Sequence, residues 1–183
     1  MNYTVTLYLI GFAGTGKYTI AKEIAKHGYK IVDNHLINDP IFSLLNLDGA
    51  TSIPGNAWNA IAEIRNAVLN FISQYPPSNY VFTNVLLEDE GDRAFYDSML
   101  TKTDSRGAIF IPVKLHISSD EHEKRVRSPE RKEKFKVTSR SADEIEIGLI
   151  HIDHPHLFEL DVTHLSAEQA ATEILNFIES IKK

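Results

Sequence analysis

The sequence contains no cysteine among its 183 residues. This absence excludes disulfide bridges, a thiolate nucleophile and any metal site built on cysteine ligands. The chain also has no apolar run near the roughly 20 residues that a membrane-spanning helix needs. The short apolar stretch at residues 5–10 lacks the basic flank and the cleavage site of a signal peptide. We therefore expect a cytoplasmic protein without a membrane partner.

Positive charge is also scarce, since 19 Lys and Arg residues face 25 Asp and Glu residues, a formal net charge of −6 at pH 7. A nucleic-acid partner is not expected for such a chain unless its basic residues cluster. The remaining composition, 43% hydrophobic and 24% charged, is that of a globular protein. No repeat or linker divides the chain, so a single domain over residues 1–183 is predicted. The oligomeric state is not predicted.

Apolar, strand-like segments alternate with segments of helical periodicity along the chain. Strands are predicted at residues 3–10, 30–32, 80–86, 108–117 and 157–162, and helices at 17–27, 36–47, 56–75, 89–100, 119–127 and 166–182. Pro112 weakens the fourth strand or places a bulge in it, whereas Ser166 and Gln169 form a capping box for the last helix. The alternation predicts an α/β fold, a five-stranded parallel sheet with helices on both faces.

Residues 11–17 (GFAGTGK) follow the first strand and match the G-x-x-x-x-G-K core of the Walker A motif. Glycines let backbone N–H groups turn toward a phosphate, the following helix contributes its positive N-terminal dipole, and Lys17 neutralises phosphate oxygens. The strand before and the amphipathic helix after the loop favour nucleotide binding over a turn without a ligand. The expected nucleotide contacts are Gly11, Ala13, Gly14, Thr15, Gly16, Lys17, Tyr18 and Thr19.

Tyr18 departs from the motif, which has Ser or Thr after the lysine to coordinate Mg²⁺. A phenol on a long, rigid arm cannot occupy the place of a short hydroxyl. Thr19 lies about 100° further round a helix and is better placed for the α-phosphate. The sequence therefore supports nucleotide binding more strongly than Mg²⁺-dependent turnover, and no protein ligand set for a metal is predicted.

The glycine loop, Asp33 after the second strand, Arg65 in a long helix and an arginine-rich segment in the last third resemble the small-molecule P-loop kinases. These have the nucleoside-monophosphate-kinase fold and include shikimate kinase, gluconate kinase and chloramphenicol phosphotransferase. The resemblance covers essentially the whole chain. It implies a three-layer P-loop NTPase fold with strand order 2-3-1-4-5, ATP bound as MgATP, an acceptor-binding helical excursion at about residues 36–75 and a lid at about residues 125–140.

Four residues are expected at the acceptor site through this resemblance. Asp33 would bind the acceptor hydroxyl and take its proton, or would instead cap the helix that follows. Arg65 would grip an acid or phosphate group of the acceptor, or would instead pair on the surface with Glu63 or another neighbour. His35 would share the acceptor site or simply pack at a helix start. Asn84, at the carboxyl end of the third strand, would point into the same crevice.

No Walker B aspartate follows an apolar strand. Thr83 stands beside Asn84 at the end of the third strand, and Glu88 and Asp89 lie just beyond it. These two acids could be outer-sphere partners of Mg²⁺. We expect instead that they form the solvated first turn of the next helix.

Residues 124–140 concentrate eight basic side chains against two acidic ones. By the resemblance this segment is the lid, in which Arg125 and Arg131 stabilise the transferring phosphoryl group and Arg127 binds the nucleotide. Alternatives are a solvated pair of charged helices or a nucleic-acid strip. The strip is disfavoured because Phe135 is the one aromatic side chain interleaved with the charges.

Three histidines, His151, His154 and His156, lie near Asp153 and suggest a zinc site. Pro155 interrupts their spacing, and they fall in a loop before the fifth strand, so a metal is not expected there.

Together these features predict a kinase that transfers the γ-phosphoryl group of ATP to a hydroxyl of a small, polar acceptor, which is anionic if Arg65 faces the cleft. A nucleotide-binding protein of the same fold without turnover, such as a sensor or partner module, is the alternative that Tyr18 favours. A polynucleotide 5′-kinase would share the loop and would use Asp33 similarly. Acceptor identity and ATP-versus-GTP preference are not predicted.

Overall fold

The computed structural model describes residues 3–45, 53–75, 77–127 and 147–182. Its five strands are β1 (Val5–Ile10), β2 (Tyr29–Asp33), β3 (Asn79–Asn84), β4 (Ile109–His116) and β5 (Phe158–Asp161). Within the described residues the helices are α1 (Lys17–Ala25), α2 (Asn34–Phe42), α3 (Gly55–Gln74), α4 (Glu90–Ser105), α5 (Ser119–Val126) and α6 (Ala167–Ile181).

The strands form one parallel sheet in the order β2-β3-β1-β4-β5. This is the order that the resemblance implies, and the predicted α/β fold is confirmed. β1 occupies the centre of the sheet and is buried along all six of its residues. Thr6 of β1 lies opposite Tyr80 of β3 on one side and Phe110 of β4 on the other. A strand covered on both faces and both edges is expected to be largely apolar, and β1 is so except for the hydroxyl groups of Thr6 and Tyr8.

The hydrophobic core has two halves because side chains of β1 alternate between the faces of the sheet. On one face, Leu7 and Leu9 pack with Ile24 of α1 and Ile174 of α6. On the other face, Tyr8 and Ile10 pack with α3 and α4, whose buried contributions are Leu69, Ile72, Tyr96 and Met99. Helices therefore cover both faces, and the predicted three-layer arrangement is confirmed.

Helix ends follow local capping where the sequence offers a cap. The predicted capping box is confirmed, since the Ser166 side chain accepts from Gln169 N while the Gln169 side chain accepts from Ser166 N. α2 begins two residues earlier than predicted because Asp33 caps it. α4 continues five residues past its predicted end at residue 100, to Ser105. The extension follows from Thr103, which is buried and donates its hydroxyl to Met99 O at 2.9 Å.

Pro112 does not interrupt the fourth strand, and the alternative of a bulge is wrong. It keeps the regular register of β4 and lies opposite Tyr8 of β1. β5 pairs with β4 only from Val113 onward. At Pro112, the edge of β4 that faces β5 therefore makes no strand pairing. The missing N–H of the proline breaks no hydrogen bond on that edge.

The structure describes most of the predicted acceptor-binding excursion but little of the predicted lid. Helix α3 and most of α2 lie in the stretch at residues 36–75, whereas residues 46–52 fall outside the described part. Of the predicted lid, only residues 125–127 are described. A single domain over residues 1–183 stays a prediction. No helix in the described ranges is long and apolar enough to cross a membrane.

Ile174 tests the packing of α6 on α1, because its side chain is fully buried in the core half that the two helices share. We expect Ile174→Ala to lower the free energy of unfolding by about 2–5 kcal/mol through lost burial and a residual cavity. Urea denaturation followed by circular dichroism would measure it. The exposed neighbour Glu173 provides the control, and Glu173→Ala should change stability by less than about 0.5 kcal/mol. An equal loss in both variants would contradict the packing described here.

Candidate functional site

The glycine loop joins the end of β1 to the start of α1, as the motif predicts. Gly14 and Gly16 have φ values of 94° and 90°, in the left-handed region that side chains rarely adopt. Gly16 is the N-cap of α1, and no side chain caps this helix start. The first turn of α1 and its positive dipole end therefore face the concave side of the loop, where an anion is favoured.

Space as well as backbone conformation requires glycine in this loop. A Cβ atom on Gly11 would lie 2.9 Å from Thr15 Oγ1 and 3.2 Å from Leu115 O. A Cβ atom on Gly14 would lie 2.7 Å from Val126 Cγ2. The loop is thus packed closely against β4 and α5, and its shape depends on both.

Lys17 folds back over the loop, and its Nζ donates to Gly11 O at 2.5 Å and to Phe12 O at 2.9 Å. The ammonium group is therefore already at the loop, where a phosphate would need it. Thr15 is buried, and its hydroxyl donates to Phe12 O at 3.0 Å. The Thr15 side chain braces the loop from inside, so any contact with a nucleotide would involve its backbone.

A small cleft opens beside the loop, where Gly11 N donates to Asn84 O of β3 at 3.3 Å. Strands β1 and β3 form its floor, and helices α2, α3 and α4 form its walls. Its polar and aromatic lining includes Tyr8, Asn34, Arg65, Thr83, Asn84 and Phe95. The cleft thus lies at the carboxyl end of the sheet, where ligands of open α/β sheets bind.

Arg65 faces this cleft, and the alternative of a surface pair with Glu63 is wrong. Its guanidinium lies over the Phe95 ring, 4.4 Å from the centroid, and donates to Asn34 Oδ1 at 3.4 Å. Its Nε atom is buried and has no hydrogen-bond partner among the described residues. Burial lowers the pKa of Arg65, and the nearby Tyr8 and Asp92 oppose that shift. A half-buried cation of this kind favours an anionic ligand.

Sequence reasoning missed Tyr8, Asn34, Phe95 and Asp92. Burial raises the pKa of the Tyr8 hydroxyl far above its usual range, so Tyr8 stays a neutral donor. Burial also raises the pKa of the Asp92 carboxyl, although the hydrogen bond from Leu87 N lowers it. The alternation of β1 would have placed Tyr8 on the face of Ile10. No sequence signal points to the other three, because folding alone brings them to Arg65.

Asp33 is the cap of α2, so this alternative is confirmed. The side chain is 4% exposed, Oδ1 accepts from His35 N at 2.9 Å, and Oδ2 accepts from Thr83 Oγ1 at 2.6 Å. Both oxygens thus already hold a donor, and Asp33 is fixed rigidly at the carboxyl end of β2. Its role toward an acceptor stays a prediction.

Asn84 lies at the cleft, and His35 lies outside its lining. The Asn84 amide donates to the Tyr8 hydroxyl at 3.2 Å, and its Oδ1 accepts from Val85 N at 2.9 Å. His35 is half exposed on α2, with its Nδ1 3.7 Å from Asp39 Oδ1. Substrate contacts by either residue stay predictions, and the geometry favours Asn84.

Comparison with known proteins gives a consistent result at the level of structure. No protein-family model matches the sequence, and no curated protein matches it significantly. A candidate kinase of Chloroflexus aurantiacus is 15% identical, with a TM-score of 0.67 over 98% of each chain. The APS kinase of Mycobacterium tuberculosis, in complex with AMPPNP and APS, is 15% identical, with a TM-score of 0.61 over 98% of this chain and 99% of that one.

The shikimate kinase of Acinetobacter baumannii, in complex with shikimate, is 18% identical, with a TM-score of 0.55 over 98% of this chain and 95% of that one. The chain has the fold of the small-molecule P-loop kinases. At these identities the likeness establishes the P-loop kinase fold alone, which is the fold that the resemblance implies.

Within this P-loop kinase fold, residue 18 does not fit the metal position of the Walker A motif. Tyr18 and Thr19 are exposed on α1, and Lys22 Nζ lies over the Tyr18 ring, 5.3 Å from its centroid. The described residues contain no group of three or more His, Asp or Glu side chains that could hold a metal ion. The donor set thus lacks the short hydroxyl that the motif uses for Mg²⁺.

Glu88 and Asp89 precede α4, which begins at Glu90, so the expectation that they form its first turn is wrong. Asp89 is its N-cap and accepts from Asp92 N at 2.9 Å. Glu88 accepts from Arg93 at 2.9 Å and from His151 N. The His151 N–H and then the Arg93 guanidinium lower the pKa of Glu88. Both carboxylates therefore already accept hydrogen bonds from groups of the protein.

The predicted lid arginines are only partly described. Arg125 donates to Glu121 at 2.8 Å and to the carbonyls of Val162 and Thr163 at 3.1 and 3.3 Å. Its Nη1 atom lies 3.9 Å from where a Gly16 Cβ would be, so it also borders the loop. Arg127 is exposed and pairs with Glu123 at 2.5 Å. Arg131 lies outside the described residues, and the catalytic roles stay predictions.

The three histidines before β5 are engaged in packing and hydrogen bonds. The His154 ring makes edge contacts with Phe110 and with His156. Its Nδ1 accepts from His156 N at 3.1 Å, and His156 Nδ1 lies 3.4 Å from Phe110 O. Burial, and then the neighbouring His156, lowers the pKa of His154. This segment thus packs against β4 at Phe110.

Thr83→Val tests the buried contact between β2 and β3. The change keeps the side-chain shape but removes the hydroxyl that donates to Asp33, which leaves a buried carboxylate oxygen without that donor. We expect a loss of about 1–3 kcal/mol in the free energy of unfolding, measured in urea. Thr101→Val, at an exposed site of α4, should lose much less. Equal stabilities of wild type and Thr83→Val would show that the bond contributes nothing.

Proposed function

We propose that the protein is an ATP-dependent phosphotransferase that moves the γ-phosphoryl group to a hydroxyl of a small, anionic acceptor. The observation that carries this proposal is the adjacency of two features: the glycine loop with Lys17, and a cleft into which Arg65 faces. A loop built for phosphate beside a cleft suited to an anion is the arrangement that phosphoryl transfer between two ligands requires. The P-loop kinase fold, and its solved examples with AMPPNP and APS or with shikimate, are consistent with it.

On the donor side, the backbone N–H groups of residues 11–16 and the start of α1 would bind the phosphates of ATP. Lys17 would exchange its bonds with Gly11 O and Phe12 O for bonds to phosphate oxygens. ATP supplies the phosphoryl group, and the loop and the lysine hold it in a fixed orientation. Fixed donors of this kind stabilise developing charge without reorganisation.

On the acceptor side, Asp33 would orient the hydroxyl that attacks. Its two bonds from Thr83 and His35 N hold the carboxylate rigidly, and a rigid acceptor matters more than basicity in a loose transition state. Arg65, which lines the cleft, would bind the anionic group of the acceptor through its guanidinium. Asn84 and Tyr8 would add polar contacts at the floor of the cleft.

Arg125 and Arg127 would add positive charge near the nucleotide. Arg125 is held between Glu121 and the loop after β5, close to Gly16, and would lie beside the phosphates of a bound ATP. We route no step through Mg²⁺, since Tyr18 removes its usual protein ligand.

A second candidate function is nucleotide binding without turnover. Tyr18 favours it because the motif loses its metal hydroxyl. Asp33 favours it too, since both of its oxygens are satisfied by the fold. The two candidates share the nucleotide site and differ in whether an acceptor is phosphorylated.

Calorimetry with ATP, with and without Mg²⁺, tests the nucleotide site directly. We expect wild type to bind ATP and Lys17→Ala to bind at least tenfold more weakly, because a charge-assisted contact is lost. Lys22→Ala, at an exposed position later in the same helix, is the matched control and should bind like wild type. Tyr18→Ser tests whether a short hydroxyl at residue 18 makes ATP binding depend on Mg²⁺. If Mg²⁺ strengthens ATP binding only in Tyr18→Ser, the natural chain lacks the metal position and binding without turnover becomes the better account.

Arg65→Gln tests the acceptor cleft in a screen of hydroxy acids, phosphorylated alcohols and neutral sugars for ADP release. For an anionic acceptor, we expect the variant to raise KM by about tenfold or more while the Kd for ATP stays unchanged. Glu63→Gln, on the same helix but exposed, is the control. A neutral acceptor turned over equally by wild type and Arg65→Gln would contradict the assigned role of Arg65.

A further inference from the structure

Helix α5 touches the glycine loop through a buried histidine that the proposed function leaves unused. His122 is 7% exposed, and its Nε2 lies 2.7 Å from the carbonyl oxygen of Ala13. One turn further along, Val126 packs against Gly14, so closely that a Cβ on Gly14 would clash with it. Two side chains of α5 thus contact one peptide of the loop, 109 residues earlier in the chain.

The Ala13–Gly14 peptide needs an external restraint. Gly14 has a φ of 94°, and glycine accepts positive and negative φ at similar energy. Rotation of the whole peptide plane about its two neighbouring bonds is therefore cheap at this position. Because a trans peptide is planar, its C=O and N–H point in opposite directions. The direction of the Ala13 carbonyl therefore sets the direction of the Gly14 N–H.

We propose that His122 is a positioning residue for phosphate binding: it donates from Nε2 to Ala13 O and thereby turns the Gly14 N–H away from α5, into the loop. The residue touches no phosphate itself. Its effect passes through one peptide plane, which the close contact of Val126 with Gly14 also confines. The inference rests on the proposed nucleotide binding at the loop, and it adds a residue to that site which the Walker A pattern does not contain.

The position of His122 is itself fixed on the far side of α5. Arg125 donates to Val162 O and Thr163 O in the loop after β5, and Glu121 holds the same guanidinium. α5 is therefore anchored to backbone at one end of the site and supports backbone at the other. This anchoring should keep helix α5 in position when the side chain of residue 122 is changed.

Three variants of residue 122 separate positioning from packing. His122→Gln places an amide donor at a similar reach, His122→Asn places the same amide one methylene short, and His122→Leu fills the space without a donor. We expect ATP affinity to fall about tenfold in the Leu and Asn variants and to recover in Gln, as the loss of one hydrogen bond predicts. His27→Leu, at an exposed site after α1, should bind ATP like wild type.

The Gly14 amide gives a readout that is independent of ATP. In ¹⁵N-edited NMR spectra of the unliganded protein, hydrogen exchange of this amide should accelerate in His122→Leu and His122→Asn, but not in His122→Gln. Unchanged Gly14 exchange in His122→Leu and His122→Asn, or ATP binding by both at wild-type affinity, would overturn the inference. ATP binding by His122→Gln as weak as that by His122→Leu would also overturn it. If His122→Leu does not fold, the comparison of His122→Asn with His122→Gln decides.

Failure of the proposed function is distinguishable from failure of this inference. If wild type binds no ATP, the proposed function is lost. The hydrogen-exchange rate of the Gly14 amide then decides alone whether His122 orients the peptide. If wild type binds ATP and all three variants match it, the function stands and the role of His122 is wrong.

Discussion

The close approach of backbone to neighbouring elements at Gly11 and Gly14 is the constraint on which the site depends. Gly11 lies against Leu115 O of β4 and donates its N–H to Asn84 O of β3, while Gly14 lies against Val126 of α5. The loop is thus held by three separate elements, none of them adjacent to it in the chain. Its shape is a property of the assembled sheet, and a peptide of the same sequence would not keep it.

The cleft beside the loop balances an unfavourable charge against favourable surroundings. Burying the guanidinium of Arg65 carries a desolvation penalty. The Phe95 ring and the Asn34 carbonyl compensate it in part, and the carboxylate of Asp92 adds long-range attraction. The Nε edge remains without a bond among the described residues. A buried donor without a partner is unusual in a folded protein, so the guanidinium of Arg65 is incompletely satisfied by the described residues.

Local signals predicted the central strand, the glycine loop, the capping box of α6 and, through family resemblance, the strand order. Each of these is encoded in a short run of residues, such as residues 5–17. Long-range contacts were not predictable in the same way. The contacts of Arg65 with Asn34 and Phe95, the bond between Asp33 and Thr83 and the contact of His122 with Ala13 each join distant segments. Thr103 extends α4 because tertiary burial outweighs the polar sequence around it.

The parallel topology has a consequence for how this chain is made. β1 lies at the centre of the sheet, yet Val5 N bonds to Asn79 Oδ1, 74 residues later, and the partner on its other edge, β4, is made later still. On the ribosome, the apolar segment VTLYLI therefore emerges before both of its partner strands. Until those strands are made, its backbone N–H and C=O groups have no strand partner and can pair with another chain. A strand that is fully buried in the folded protein is thus exposed to aggregation during synthesis.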